Sequence, residues 1–416
     1  MKKNIWILNH YAGGMMFDHG GRHYNFAKYL KRSQYEPVVF CANSNHRTGD
    51  VMFETDALWH EHLAEEIGVP FVCVKARAYT GNGKQRIFNM LDFYFNVKKA
   101  AKEYAAKNGK PDVIYASSVH PLTLVAGIQL AKKFGVKCIC EVRDLWPESI
   151  VVYSTRFKKT NPLIQLLYLG EKWIYQKADQ LIFTMEGAYD YIRAQGWEKA
   201  IPSAKVHFIN NGVDSEVFNY NKEHYPVEDA DLVNPDFFKV GYTGSIRKAN
   251  NIGLLLDVAK SVKDPKVRFL IWGSGDELPM LQQRVQDENI TNVVFKGRVD
   301  KSCIPYIISK LDVNYVDPFD EKIARYGISS NKLFEYFAAE KPILMSASGE
   351  YNPADNFHCA VVCQPNAESL LEGLEQILHM PADTFEAVCA NARKASDYYS
   401  FSNLTEKLIE IIEAPL

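Results

Sequence analysis

The segment Tyr326-Gly-Ile-Ser-Ser-Asn-Lys-Leu-Phe-Glu-Tyr-Phe-Ala-Ala-Glu-Lys-Pro-Ile343 places one carboxylate, Glu335, inside an apolar helical run of Leu333, Phe334, Tyr336, Phe337, Ala338 and Ala339. A buried, unpaired charge is expensive, so this one needs compensation. Just upstream stand Ser329, Ser330 and Asn331, all good N-cap residues. A helix start, with its unpaired N–H groups and positive dipole end, therefore sits about one turn from a carboxylate. That pairing suits phosphates on the N–H groups and ribose hydroxyls on the acid, the two parts of a nucleotide sugar. The alternative is a core helix whose one acid is satisfied within the protein.

Glycine turns mark other points where a ligand could approach backbone. The first apolar run leads into Asn9-His-Tyr-Ala-Gly-Gly-Met-Met-Phe-Asp-His-Gly-Gly-Arg22, in which Gly13, Gly14 and the pair 20–21 precede a helix. The spacing is not Gly-x-Gly-x-x-Gly and argues little for a dinucleotide. A second turn, Gly241-Tyr-Thr-Gly-Ser-Ile-Arg-Lys-Ala-Asn-Asn251, holds Gly244 and puts Arg247 and Lys248 at a strand end. Cations there could clamp a diphosphate leaving group, or they could simply be solvated. Trp272-Gly-Ser-Gly-Asp276, with Gly273, and Phe295-Lys-Gly-Arg-Val299, with Gly297, are two more such turns.

The elements that hold these loops alternate along the chain. Strands are expected at 5–8, 37–41, 71–74, 113–116, 138–142, 180–183 and 206–209, with helices between most of them, such as 22–31, 122–134 and 163–177. The rhythm restarts at 239–242 and continues through 267–272, 293–295, 313–316 and 343–345. This is the pattern of parallel sheets built from βαβ units. The polar stretch 219–237, with Pro226 and Pro235, reads as a linker. Two doubly wound α/β domains in tandem would face a central cleft between the carboxyl ends of their strands.

Composition fits a soluble enzyme. A chain of 416 residues implies two domains or more, and 47% hydrophobic content allows large cores. A net charge of −2 argues against bulk binding to nucleic acid. The eight cysteines form no Cys-x-x-Cys pair and no zinc-finger spacing, so reduced thiols and no metal site are expected. The apolar run after Lys2 and Lys3 stops at Asn9, too short for a signal peptide, and no stretch of 18 apolar residues exists. A cytoplasmic protein is the expectation.

The segments 38–41, 112–120 and Glu141-Val-Arg-Asp-Leu-Trp-Pro-Glu-Ser149 resemble the N-terminal half of the retaining glycosyltransferases of family GT4. Asn210-Asn-Gly-Val-Asp214, 241–248, 269–275, 294–299 and 329–342 resemble the C-terminal half, in the right order along nearly the whole chain. The subgroup they resemble builds O-antigen, capsule and other exopolysaccharides in bacteria. The resemblance implies a GT-B fold: an acceptor-binding domain at 1–218, a nucleotide-sugar-binding domain at 219–395, and a C-terminal helix within 396–416 that crosses back. Glu335 matches the second acid of a Glu-x7-Glu motif, which holds ribose. Arg247 or Lys248 matches the residues on the diphosphate. His120 matches a histidine facing the donor sugar, though it could be a turn residue before Pro121. Gly13 and Gly14 match a first-domain glycine loop, and Gly297, Arg298 and Val299 the loop that meets the base. Ser329, Ser330, Asn331, Lys332 and Leu333 match the segment beside phosphates and sugar. Arg143 and Asp144 fall on the acceptor side. Retention without a metal or other cofactor is implied, with the nucleotide sugar, a UDP-sugar, as co-substrate.

The chain departs from the family pattern at two positions. Gly327 stands where the first acid of Glu-x7-Glu is expected, with Asp320 or Glu321 as conceivable substitutes. Glu340 replaces a glycine suited to a left-handed helix end, at an expected cost of about 1 kcal/mol. Two stretches, 84–99 and 155–175, mix cations with apolar groups, as interfacial helices do, or as plain amphipathic core helices do. With the subgroup resemblance they point to a polyprenyl-diphosphate-linked saccharide as acceptor and to peripheral association with the inner membrane face. A nucleotide-sugar epimerase of the same fold and a non-catalytic scaffold are the competing classes.

Overall fold

The computed structural model describes residues 2–415 apart from 47, 82, 119, 154–156, 318–320 and 348, with every side chain but those of 153, 321 and 322. The expected substitutes at Asp320 and Glu321, and the cation Arg156, therefore lie outside what is described. The chain divides into two compact units, Met1–Asn210 with Leu404–Leu416, and Asn211–Asn403.

The first unit is built on β1 (Asn4–Leu8), β2 (Glu36–Ala42), β3 (Trp59–Ala64), β4 (Val69–Val74), β5 (Val113–Ser117), β6 (Lys137–Val142), β7 (Gln180–Phe183) and β8 (Val206–Phe208). They form one sheet in the order β3-β4-β2-β1-β5-β6-β7-β8. β5 and β6 are buried along their whole length, which is why they read as continuous apolar runs. All neighbours run parallel except β3, which pairs antiparallel with β4 at the sheet edge. Sequence reading missed β3 because Trp59-His-Glu-His-Leu-Ala64 is half-exposed there and carries little apolar signal.

The second unit holds β9 (Phe238–Ser245), β10 (Val267–Ser274), β11 (Val293–Gly297), β12 (Val313–Val316), β13 (Ile343–Ser346) and β14 (Ala360–Cys363). Their order is β11-β10-β9-β12-β13-β14, every pair parallel. This is a doubly wound sheet. In each unit the order reverses once beside the first strand: between β1 and β5, and between β9 and β12. Ligands of such sheets gather at the carboxyl ends of the strands flanking that point.

The stretch 219–237 is not an open linker. Asp214 caps the helix Ser215–His224, and Asp229 caps Ala230–Val233, accepting from the N–H groups of Asp231 and Leu232 at 3.0 and 3.1 Å. Lys296 pairs with both Asp229 and Asp231, so the acids that suggested solvent are tied into the second unit. The break falls earlier, after Asn210. At the other end the helix Phe401–Glu413 returns to the first unit. Lys137 Nζ donates to the carbonyls of Ile411 and Ile412 at 3.3 and 3.0 Å and to that of Ala414, a cation on a helix C-terminus. All eight cysteines are free thiols, six of them buried.

Candidate functional site

At the reversal point of the first sheet, two histidines meet. β1 releases Asn9, His10 and Tyr11, while β5 leads to His120, the extended N-cap of the helix Pro121–Phe134. Proline at the first helical position needs no N–H partner, and Gly135 closes the helix at φ 69°. Asn89, on the helix Lys84–Asn108, donates its amide to the Arg77 carbonyl at 2.6 Å and to Ser44 Oγ at 3.1 Å. Its Oδ1 is then an acceptor and takes the proton of His10 Nε2 at 2.7 Å. His10 Nδ1 is left bare and accepts from His120 Nε2 at 2.5 Å. The chain of bonds therefore assigns both tautomers. His120 Nδ1 ends it as a lone pair, buried and without a hydrogen-bond partner. Burial, and then the charge of Arg86, push the His120 pKa down to about 3; burial, and then His120, hold His10 well below its ordinary value. Both rings are neutral. The relay ends in an acceptor without a hydrogen-bond partner among the described residues.

Behind it lies a closed ion cluster. The Glu141 carboxylate accepts from Arg22 at 2.7 Å, from His23 Nε2 at 3.0 Å, from Ser117 Oγ at 2.6 Å and from the Tyr115 hydroxyl. Burial pushes its pKa up, but Arg22 and His23 more than offset this and hold it well below the carboxylate range. Arg22 also donates to the carbonyls of Ile209 and Asn210 at 2.8 and 2.6 Å, fixing the Gly20–Gly21 turn against the ends of β6 and β8. Gly13 and Gly14 lie in the 3-10 turn Ala12–Met16. A Cβ on Gly13 would strike Met52 at 2.4 Å, whereas one on Gly14 would meet nothing within 4 Å. Arg143 is anchored by its N–H on Ser118 Oγ at 3.0 Å, and its Nε is buried without a partner; Asp144 is exposed beside it.

At the reversal point of the second sheet, the glycine turns interlock. Gly244 and Gly273 have φ 144° and 142°, and they pair across β9 and β10. A Cβ on Gly273 would sit 1.7 Å from the Gly244 carbonyl oxygen. These glycines let two strand ends close on each other, a reason internal to the chain. Gly297, at φ 76°, sits where β11 shifts register against Trp272; Arg298 is exposed and Val299 half-buried beyond it. Arg247 and Lys248 project from the turn after β9, both exposed.

The helix Asn331–Ala338 starts beside that turn. Ser330 is its extended N-cap and offers no side-chain cap; its carbonyl accepts from the Leu333 N–H at 3.1 Å, leaving the N–H groups of Asn331 and Lys332 as the orphan donors of the first turn. Lys332 reaches back to Asn250 Oδ1 at 2.7 Å and to the Tyr242 hydroxyl at 3.3 Å, and burial lowers its pKa to about 8. Leu333 is buried in the core. Glu335 is half-buried, with no hydrogen bond or ion pair among the described residues, and burial raises its pKa against the opposing charges of Lys301 and Lys332. Ser329 is held by Asn211, whose amide donates to its carbonyl at 2.7 Å. Gly327 has φ 130°, so the position of the absent acid carries a backbone that a glutamate rarely adopts. Glu340 does sit at φ 56°, and its carboxylate pairs with Arg393.

The second unit thus brings Gly244, Gly273, Lys332 and Glu335 together with Arg247 and Lys248 nearby; the first holds His120, Gly13, Gly14, Arg143 and Asp144. Sequence reading missed His10, Asn89, Glu141 and Asn250. His10 had a signal, a histidine one residue past a strand end; Asn89 had none, since it is one polar residue in a long helix. Among the described residues, no group of three or more His, Cys, Asp or Glu is placed to hold a metal ion.

Comparisons agree with this layout. A family model described as "Glycosyl transferase 4-like domain" matches residues 20–212, and one described as "Glycosyl transferases group 1" matches residues 238–380. The chain is 24% identical over 207 residues to the "Putative teichuronic acid biosynthesis glycosyltransferase TuaH" of Bacillus subtilis, a match spanning 50% of this chain and 49% of the relative. The chain therefore aligns with about half the length of that curated relative. Among solved structures, sucrose-phosphate synthase from Thermosynechococcus elongatus superposes with TM-score 0.72 at 18% identity, covering 99% of this chain and 98% of that one. Anabaena Alr3699/HepE, in complex with UDP and glucose, gives 0.66 at 14%, covering 99% and 100%. The trehalose-6-phosphate protein from E. coli bound with UDP-2-fluoro glucose gives 0.71 at 13%, covering 99% of each chain. These likenesses show the fold, GT-B. With two family models following one another in chain order along most of its length, each over one doubly wound unit, the chain belongs to the GT4 family of glycosyltransferases.

Proposed function

We propose that the protein is a retaining glycosyltransferase that moves a hexose or N-acetylhexosamine from a UDP-sugar to a lipid-linked saccharide in bacterial surface polysaccharide synthesis, O-antigen or capsule. The observation that carries the donor half is Glu335: a half-buried carboxylate without a hydrogen-bond or ion-pair partner among the described residues, one turn inside a helix whose N-cap side chain leaves the Asn331 and Lys332 N–H groups uncapped. The ribose hydroxyls donate to Glu335, and the diphosphate takes the helix start with Lys332, Arg247 and Lys248. As the anomeric bond breaks, those cations carry the charge of the departing diphosphate, and no metal is needed. In the first unit, the His120 Nδ1 lone pair is an acceptor for a sugar hydroxyl. The acceptor hydroxyl attacks the face the diphosphate leaves. UDP in the HepE complex and UDP-2-fluoro glucose in the E. coli structure support the donor class, and the teichuronic acid relative supports a surface polymer.

A Glu335→Gln variant tests the donor site. It should fold with an unchanged melting temperature and lose most UDP affinity by calorimetry, at least about tenfold, for lost charge-assisted hydrogen bonds. Unchanged affinity removes Glu335 from the site. UDP release with and without acceptor, repeated in EDTA, separates transfer from epimerisation and from an inert scaffold.

A further inference from the structure

The helix Pro162–Lys177 contains a glycine that its own packing does not require. Gly170 lies in its interior, where glycine costs roughly 0.5–1 kcal/mol against alanine. Other helix glycines have a reason: a Cβ on Gly127 would strike Ala116 at 2.5 Å, and one on Gly373 would strike Cys363 at 2.3 Å. A Cβ on Gly170 would meet nothing within 4 Å. Gly170 instead lines a cavity of about 310 Å³, closed by Leu122 and Val125 from the helix Pro121–Phe134, Val142 at the end of β6, and Leu167 and Trp173 from its own helix. The volume is at the small end of ligand pockets, which run roughly 300–1,000 Å³, so it suits part of a ligand.

The chemistry of the walls narrows the occupant. Nearly all the lining is hydrocarbon or aromatic. Glu171, the acid in the inner wall, is bound by the hydroxyls of Tyr175 and Tyr191 at 2.6 and 2.7 Å, and burial lifts its pKa to about 8, so it stays mainly uncharged at neutral pH. The cavity reaches Ser118 and Asp144, just past the carboxyl ends of β5 and β6, the ligand end of the sheet. On the outer side it meets a stripe of Leu163, Leu166, Leu169 and Trp173, all more than a third exposed. An apolar slot that continues onto an exposed apolar track matches a branched hydrocarbon chain.

We propose that this cavity seats the first isoprenoid units of the acceptor's lipid carrier. The assignment rests on the reading of the acceptor as lipid-linked. It makes the helix Pro162–Lys177 the element that selects a lipid acceptor over a free saccharide.

Gly170→Leu tests it, since the new side chain enters the cavity and replaces a helix glycine. The probe is farnesyl phosphate, followed by quenching of Trp146 and Trp173 fluorescence and by calorimetry, with inorganic pyrophosphate as control. The wild-type protein should bind farnesyl phosphate even in saturating pyrophosphate, which fills only the diphosphate site. Gly170→Leu should keep its melting temperature and UDP affinity and weaken farnesyl phosphate at least tenfold. Absence of farnesyl phosphate binding, or equal binding by Gly170→Leu, overturns the cavity assignment. If a polyprenyl-linked saccharide is glycosylated with a KM that Gly170→Leu does not change, the acceptor reading stands and the cavity assignment falls. If only water-soluble saccharides are glycosylated while Gly170→Leu still blocks farnesyl phosphate, the acceptor reading falls and the isoprenoid site stands.

Discussion

The histidine relay makes a prediction about stability against pH. His10, His23 and His120 are buried and held below the ordinary value of 6.5, burial being the first cause in each. The unfolded chain takes up protons there that the folded chain refuses. Stability is therefore full above about pH 6.5 and falls as the pH drops toward the folded-state values. Glu171, raised to about 8 by burial, acts in the opposite sense and gives up its contribution as the pH rises toward 8, so the histidine effect is read as the difference between wild type and His120→Asn from about pH 6.5 to 5. His120→Asn should decline less steeply than the wild type. An identical pH dependence in the variant and the wild type would show that the His120 ring is not held neutral. The Glu141 cluster acts in the same direction at lower pH: its depressed carboxylate stabilises the fold above about 4.5 and ceases to as it is protonated.

At the level of elements, the strand-end turns decide the donor site. Gly244 and Gly273 read in sequence as backbone open to a ligand; the structure shows backbone open to its own neighbour. Both uses follow from one absent Cβ, because the interlocked ends of β9 and β10 are what set Lys332 and the Arg247–Lys248 turn in place. Gly273→Ala combines φ 142° with an impossible contact of 1.7 Å, so the turn must move. It should cost at least about 1–3 kcal/mol in urea unfolding and reduce UDP affinity together with stability. Gly14→Ala, with open space for its Cβ, should stay within about 0.5 kcal/mol of the wild type. Equal effects of the two would remove the packing argument.

At the level of the molecule, two helices of the first unit expose apolar groups that the core does not use. Ile87, Phe88 and Phe95 project from Lys84–Asn108, and Leu163, Leu166, Leu169 and Trp173 from Pro162–Lys177. Lys158 and Lys159 flank the second group, Lys159 paired with Glu148 at 2.9 Å. No helix among the described residues is long and apolar enough to cross a membrane. Under the lipid-acceptor proposal these faces lie on an anionic surface, each cation contributing about 1 kcal/mol. The protein should co-sediment with anionic vesicles at low salt, less so as salt rises, and less again with both lysines changed to serine. Indifference to anionic vesicles at low salt would return these residues to an ordinary solvated surface.

What the sequence determines by itself is the local part. Strands buried on both faces must be unbroken apolar runs, so β5, β6 and β9 are legible, and with them the doubly wound class. Glu335 is legible because a charge inside an apolar helical run is an anomaly a few residues wide. The glycines are legible as turns for the same reason. Tertiary structure alone decides what depends on contacts far apart in the chain. The relay joins Asn89 to His10 and His10 to His120 across 79 and 110 residues. No periodicity encodes those pairs; they follow from the place of β1 beside β5 in the sheet and from a helix that packs across it. The same holds for Arg22 on Glu141, for the acids of 219–237 that cap helices and bind Lys296, and for the cavity beside Gly170. Spacing along the chain sets which face a residue takes. The order of the strands sets which residues that face meets.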